Sequence, residues 1–389
     1  MNNSAWNYIP LTSAVKIYDS LRQPINSKER AKRIKGKKDS DLFPYYGATG
    51  QVGYIDDFLI DGEYILLGED GAPFLDALAK KAYIINGKSW VNNHAHILQS
   101  KTNNKFLYFY LNYFDYKDYV SGTTRLKLTQ ARMKQIPVPV PSLSEQERIV
   151  ARIEELFSEL DKAVETLKTT KQQLAVYRQS VLKEVFEPLN KVVDMEIIST
   201  MIDPQPSHRT PPEVKDGVPY IGIGDIDYDA QTINFNTARK VSSGVAKEHL
   251  ERYTIQKGDF IMGKIGTIGK PFKLPLPQNY TLSANVILIQ PNSKIIFPEF
   301  LFWQFASPYI TQQLMRGATA TSQPAFGIKK ARKLQIKICD MVVQNKILKD
   351  IQTRMSICDS IEQTVNTVLQ QAEAMRQSIL KQAFEGRLI

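Results

Sequence analysis

Ser142 to Glu187 reads SLSEQERIVARIEELFSELDKAVETLKTTKQQLAVYRQSVLKEVFE, with neither Gly nor Pro. Ile149, Ile153, Leu156, Leu160, Ala163, Leu167, Thr170, Leu174, Tyr177 and Val181 recur with the alternating spacing of four and three that marks a coiled-coil seam. Only Thr170 breaks the apolar series. Ser144 with Glu147 predicts a capping box that starts the helix, and Pro188 stops it. At 1.5 Å per residue the helix would run roughly 69 Å, far more than a domain core needs.

The same helix returns 198 positions later. Arg178–Glu187 (RQSVLKEVFE) aligns with Arg376–Glu385 (RQSILKQAFE). Carried upstream without a gap, that offset puts Ile347, Ile351, Arg354, Cys358, Ile361, Val365, Val368, Ala372, Met375 and Ile379 on a second seam. It also sets Gln344 on Gln146, and Leu334–Cys339 (LQIKIC) on Ile136–Pro141 (IPVPVP). One register kept this long marks an internal duplication. The chain divides into a first body at 1–141, a long helix at 142–187, a second body at 188–333 and a second helical segment at 334–389. A body of about 145 residues has a radius of gyration near 15 Å and is too small to bridge two parallel helices of this length. Antiparallel pairing is therefore expected, with pseudo-two-fold bodies at the ends of a shared rod.

A chain of 389 residues with 43% hydrophobic side chains is ordinary globular protein with room for two or three domains. No apolar run is long enough to span a membrane, and the N-terminus lacks the layout of a signal peptide. Two cysteines, Cys339 and Cys358, are too few for a disulfide framework, so a cytoplasmic location is expected. The net charge of +10 divides as +6 and +5 on the two bodies and −2 and +1 on the two helical segments. That split favours a polyanion held by the bodies and protein partners on the helices.

In the first body, Ser27–Lys38 (SKERAKRIKGKK) reads as a basic loop, either solvated or touching phosphates. Gln51–Tyr54, Phe58–Ile60, Tyr64–Leu67, Tyr83–Ile85 and His96–Leu98 read as strands, and Lys105–Asp118 as a core helix. Tyr119–Leu128 is a polar loop. The second body repeats the plan, with a strand and turn at Pro219–Asp227, a glycine-punctuated hairpin at Lys257–Lys270 and a strand at Ser283–Gln290. A helix over Phe297–Gly317 and a polar loop at Arg316–Gln323 complete it. Catalytic patterns are missing. Gly222-Ile223-Gly224 lacks the third glycine of a dinucleotide fingerprint, and Pro271 follows Lys270 where a phosphate-binding loop needs Ser or Thr. His94, His96, His208 and His249 have no third ligand beside them at metal-site spacing.

Three features together resemble one family, the specificity subunits of Type I restriction-modification systems. They are the stretch IPVPVPSLSEQERIV at 136–150, the helix end RQSVLK at 178–183 with its copy at 376–381, and the two diverged bodies between them. PYYGATGQVGYIDDFLIDGEYILLGEDG at 44–71 and KGDFIMGKIGTIGK at 257–270 look like two types of target-recognition domain from that family. The resemblance implies an α+β fold in which two α/β target-recognition domains are separated by two long helices paired as an antiparallel coiled coil. It implies a non-catalytic reader of a bipartite, asymmetric double-stranded DNA site, with the coil as spacer. Two modification (methyltransferase) subunits, carrying S-adenosylmethionine, would dock on the helices. Restriction (motor-nuclease) subunits, using ATP and Mg, would join them. No cofactor or metal is expected in this chain.

Under that reading the candidate contacts are polar and basic loop residues. In the first body they are Lys28, Arg30, Lys32, Arg33, Lys35, Lys37, Lys38, Tyr45, Tyr46, Thr49, Gln51, Thr123, Thr124, Arg125 and Lys127. In the second they are Arg209, Lys264, Lys270, Arg316, Thr319, Thr321, Ser322 and Gln323. The alternative is a coiled-coil scaffold with basic bodies and no role on DNA.

Overall fold

A computed structural model describes residues 6–207, 209–318 and 325–389. The chain forms two compact units, one from residues 1–169 with 365–389 and one from 170–364.

In the first unit the body runs β1 (Tyr8–Pro10), α1 (Leu11–Ala14), β2 (Val15–Ile17), α2 (Ser27–Ile34), β3 (Phe43–Gly47), β4 (Gly50–Ile55) and β5 (Tyr64–Gly68). It continues through β6 (Ala82–Ile85), β7 (Trp90–Val91), β8 (Ala95–Ser100), α3 (Asn104–Tyr113), α4 (Gln130–Lys134) and β9 (Pro137–Pro139) into α5 (Leu143–Phe186). The main sheet is antiparallel in the order β2-β8-β5-β6. A smaller sheet centres on β3, with β4 antiparallel and β7 parallel, and β1 pairs with β9.

The second body follows α5 with β10 (Val192–Asp194), α6 (Met195–Ile198), β11 (Ser199–Ile202), β12 (Val218–Ile221), β13 (Ile226–Asp227), β14 (Thr232–Ile233) and β15 (Lys240–Val241). Next come α7 (Ser243–Arg252), β16 (Phe260–Gly263), β17 (Pro271–Lys273), β18 (Thr281–Leu282) and β19 (Val286–Pro291). Then α8 (Pro298–Phe305), α9 (Pro308–Gly317), α10 (Ile328–Ala331) and β20 (Gln335–Lys337) lead into α11 (Met341–Phe384). The topology repeats. The main sheet is β11-β19-β16-β17, the smaller sheet centres on β12 with β15 antiparallel and β18 parallel, and β10 pairs with β20.

Alternation along the central strands explains why these sheets are buried on both faces. Ile65, Leu67 and Leu98 face one core, while Leu66 and Ile97 face another. Phe260, Met262 and Ile287 face one core of the second body, and Ile261 and Leu288 face the other.

Each main core is completed by the start of one long helix and the end of the other. Ile149 and Ile153 from α5 meet Ile379, Leu380 and Phe384 from α11 in the first unit. Val181, Leu182 and Phe186 from α5 meet Leu348, Ile351 and Met355 from α11 in the second. The helices are antiparallel within each unit. In the second unit Arg178 lies 2.8 Å from Asp359 and 2.9 Å from Glu362, and Glu184 lies 2.9 Å from Arg354. In the first, Arg376 pairs with Asp161 and stacks over Phe157 at 5.0 Å. Asp161 and Asp359 are 198 apart, as are Arg376 and Arg178, and so are the starts and ends of α5 and α11.

The repeat reaches the hydrogen bonds that start each helix. Ser142 Oγ accepts from Glu145 N–H at 3.3 Å, and Asp340 Oδ1 accepts from Val343 N–H at 2.9 Å. The capping residue is thus Ser142, in place of the expected Ser144, and Asp340 supplies the second cap despite the altered sequence around it. Gln146 and Gln344 are buried and donate to Pro141 O and Cys339 O, each at 2.9 Å.

Four further expectations change. The phase of the four-and-three steps differs between shared anchor positions, so Val164 and Arg178 turn inward where Ala163 and Tyr177 were expected. On α11 Glu362, Leu369 and Arg376 likewise replace Ile361, Val368 and Met375. Ser27–Ile34 is a helix whose cap, Asn26 Oδ1, accepts from Glu29 N–H at 2.9 Å. The segment Phe297–Gly317 is two helices because Pro308 cannot continue α8 and instead begins α9. The hairpin at Lys257–Lys270 returns later than expected, through Pro271–Lys273. The two cysteines are free, and Cys358 is buried on the seam.

Candidate nucleic-acid interface

In the first body two loops meet beyond the end of β5. Asp70 bridges Lys127, Gly71 N–H donates to Leu126 O at 2.9 Å, and Leu128 N–H donates to Glu69 O at 2.7 Å. Gly71 has φ +81°, and a Cβ there would sit 3.2 Å from Arg125 Nε, so a glycine suits both the turn and the close approach. The Arg125 guanidinium is held 2.7 Å from Asp70, and Lys127 lies 3.7 Å from Glu69. Thr49, Thr124 and Arg125 therefore line one groove of about 750 Å³, together with Gly47, Val52, Asp70, Asn92 and His94. Asp70 and Asn92 were not singled out by sequence, and His94 was weighed there only as a metal ligand. The Glu-Asp-Gly turn at 69–71 was the available signal, since it closes a strand and faces the polar loop.

The basic segment packs beside this groove through the same hairpin. Arg30 stacks on Tyr45 at 4.6 Å and donates to Val52 O at 3.4 Å, while Val52 also lines the groove. Arg33 stacks on Trp90 at 5.0 Å and donates to Asp56 Oδ1 at 2.6 Å, and Lys37 donates to Asp56 Oδ2 at 2.7 Å. These bonds hold the Asp56 carboxyl below the usual carboxylate range, the Lys37 hydrogen bond foremost. Three of the seven cations thus fasten the helix to the small sheet. Lys28, Lys32, Lys35 and Lys38 are exposed and make no ion pair among the described residues. Tyr45 lies in the core with its hydroxyl donating to Ile25 O at 3.1 Å, so it does not present itself to a ligand. Tyr46 is half-buried against Tyr83, Gln51 is exposed on β4, and Thr123 is exposed in the polar loop.

The second body repeats the junction with other side chains. Ile265 bridges Ala325, and Phe326 N–H donates to Lys264 O at 2.9 Å. Ala325 and Phe326 stand 198 residues beyond Lys127 and Leu128. Arg316 is exposed at the end of α9, Lys270 is exposed over the Tyr228 ring at 5.2 Å, and Arg209 is exposed. Lys264 is buried, with its ammonium 2.6 Å from Asp203. Thr319, Thr321, Ser322 and Gln323 lie outside the described residues, as does His208. His96 and His249 are tied into the fold. His96 is fully buried with Nδ1 2.7 Å from Asp19 and Nε2 3.0 Å from Leu128 O, and His249 meets Thr281 and Gln205. No cluster of His, Cys, Asp and Glu among the described residues could hold a metal, and no helix among them is long and apolar enough to cross a membrane.

A duplicated body with a duplicated loop junction matches a known domain twice. Residues 4–175 and 206–371 both match the Type I restriction modification DNA specificity domain. The chain belongs to this family. A putative type I restriction enzyme specificity subunit from Haemophilus influenzae is 25% identical over 384 residues, covering 96% of this chain and 94% of that protein. The Type I restriction enzyme EcoBI specificity subunit from Escherichia coli is also 25% identical, over 69% of this chain and 62% of its own length. Among solved structures, a chain from work on complex assembly and conformational transition of the type I R-M system superposes with a TM-score of 0.69 at 14% identity. It covers 100% of this chain and 99% of its own, which establishes the shared fold. Specificity subunits are non-catalytic; methyltransferase and nuclease chemistry lies in other subunits of such systems.

Proposed function

We propose that this chain directs a Type I restriction-modification complex to its target, each body reading one half of a bipartite, asymmetric double-stranded DNA site. The observation that carries the reading is the repeated junction. The chain leaving each polar loop pairs through its backbone with the segment after the matching central strand, Lys127 and Leu128 in the first body and Ala325 and Phe326 in the second, with different side chains around it. A fixed frame with variable loop chemistry suits two readers of different half-sites.

In the first body, Lys28, Lys32, Lys35 and Lys38 would contact phosphates, and Thr49, Gln51, Thr123, Thr124, Arg125 and Lys127 would supply groove contacts. In the second, Arg209, Lys270 and Arg316 would act with Thr319, Thr321, Ser322 and Gln323. The near-neutral helical segments would set the spacing between half-sites and offer their outer faces to two modification subunits, with restriction subunits joining them. S-adenosylmethionine would belong to the former, ATP and Mg to the latter.

A salt-titrated gel shift of the chain with its methyltransferase subunit tests this. A sequence-specific complex that weakens steeply with salt is expected. Failure to retain DNA even at low salt would favour the scaffold reading instead. Four residues inserted near Thr170 are expected to widen the gap in the methylated motif, and an unchanged gap would remove the spacer role.

A further inference from the structure

We propose that Asp19 and Asp203 are equivalent positioning residues, each clamping the recognition loop of its own body from beneath. The proposal rests on reading the bodies as DNA readers, and it assigns Lys264 to the clamp, away from the DNA backbone.

Strand pairing puts the two aspartates at the same place. Ile17 pairs with Leu98 and Met201 with Ile289, while Leu98 and Ile289 pair in turn with Ile65 and Phe260. Asp19 and Asp203 each follow two residues after Ile17 and Met201. Glu69 and Lys264 each follow four residues after Ile65 and Phe260, and their carbonyl oxygens accept the N–H groups of Leu128 and Phe326.

The first clamp grips the exit of the Ser121–Lys127 loop. Asp19 Oδ1 accepts from Ile97 N–H at 2.9 Å, and Oδ2 accepts from Gln130 Nε2 at 2.8 Å and lies 2.7 Å from His96 Nδ1. The far nitrogen of His96 reaches Leu128 O. Arg22 closes the cluster between Asp19, at 3.4 Å, and Glu69, at 2.5 Å. Burial pushes the Asp19 carboxyl up, but the bonds from His96, Gln130 and Ile97 outweigh it and hold the group below the usual carboxylate range.

The second clamp pairs Asp203 with Lys264. Lys264 and Asp203 expose only 9% and 14% of their side chains, and Gln205 N–H donates to the other Asp203 oxygen at 3.3 Å. Neutralising Asp203 takes away the carboxylate set against the Lys264 ammonium in a nearly dry site, and removing Lys264 takes the cation from a carboxylate that also accepts from Gln205 N–H, so either change is expected to move the backbone they hold. That backbone is the Lys264–Ile265 segment bonded to Ala325 and Phe326, at the end of the second polar loop.

The two possible roles of Lys264 predict opposite signs for one variant. As a phosphate contact, Lys264 would be liberated by Asp203→Asn and binding would hold or strengthen. As part of a clamp it loses its place. The experiment is methylation-motif sequencing and DNA affinity for the full chain assembled with its methyltransferase. D203N and K264M should both relax one half-site by roughly tenfold or more, about the penalty of one mismatched base pair, with the other half-site unchanged. D203E should restore stringency, and D19N should relax the opposite half-site. If D203N leaves stringency intact, tightens binding, or relaxes both half-sites alike, the clamp is refuted. A wild-type chain that directs methylation to no bipartite motif would refute the reader itself, and the clamp with it.

Discussion

The two bodies share a frame and differ in their fittings. Both carry a four-stranded sheet buried on two faces, a three-stranded sheet with one parallel pairing, and a core closed by the ends of two antiparallel helices. The first body adds a basic helix stapled down by Arg30, Arg33 and Lys37, and an aspartate clamp built on histidine and arginine. The second has α7 and a lysine clamp. Backbone pairing thus fixes where the loops stand while the side chains under and on them vary. Such a division suits a protein whose loops read sequence and whose frame must hold them in place.

The largest expected effects test the shared frame. Phe384 packs on Phe106, Tyr110 and Tyr113, and Phe186, its counterpart 198 residues earlier, packs on Phe300. Replacing either with Ala should cost about 3–5 kcal/mol, in different places. Hydrogen exchange should rise in α3 for F384A and in α8 for F186A, and the same response from both would break the equivalence. Next come Gln146→Ala and Gln344→Ala. Each removes a buried amide and its hydrogen bonds, those with Phe297 N–H and Ile295 O among them for Gln344, and should cost about 1–3 kcal/mol by denaturant unfolding.

The differences give smaller and more selective effects. Changing Lys28, Lys32, Lys35 and Lys38 together to Gln should weaken DNA binding without altering the motif and should lower the salt slope by about one per lost contact. An unchanged slope would leave α2 as packing alone. The two bodies should also part on acidification. Burial, aided by Arg252, pushes His249 below its ordinary value of 6.5, so the unfolded chain binds more protons as pH falls beneath that value and the second body loses stability there. Asp19 is shifted down as a carboxylate, so its contribution is lost only at lower pH. As pH falls below 6.5, exchange in α7 should therefore rise before exchange in β8 does, and the reverse order would contradict this.

Much of this frame was legible because long repeats leave long signals. The offset of 198 could be read from RQSVLKEVFE and RQSILKQAFE alone, and it places both helix ends correctly. The seam was read with its four-and-three steps in the other phase between positions such as Leu174 and Val181 that both readings share, so Arg178 and Arg376 were left off it. Helix α2 was missed because Ala31 and Ile34 are its only apolar residues, too few to stand out as a hydrophobic face in a basic run. Lys264 and Tyr45 were grouped with surface contacts because sequence reports charge and polarity but not burial. Only the pairing of β11 and β16 with β19 shows that Lys264 stands opposite Asp203.

The most direct measurement is the methylated motif in the genome of a host carrying this chain and its methyltransferase, before and after residues 1–135 are replaced with a different recognition domain. The account predicts a bipartite motif in which one half changes and the other half and the gap stay the same. A motif that changes in both halves, or in neither, would contradict it.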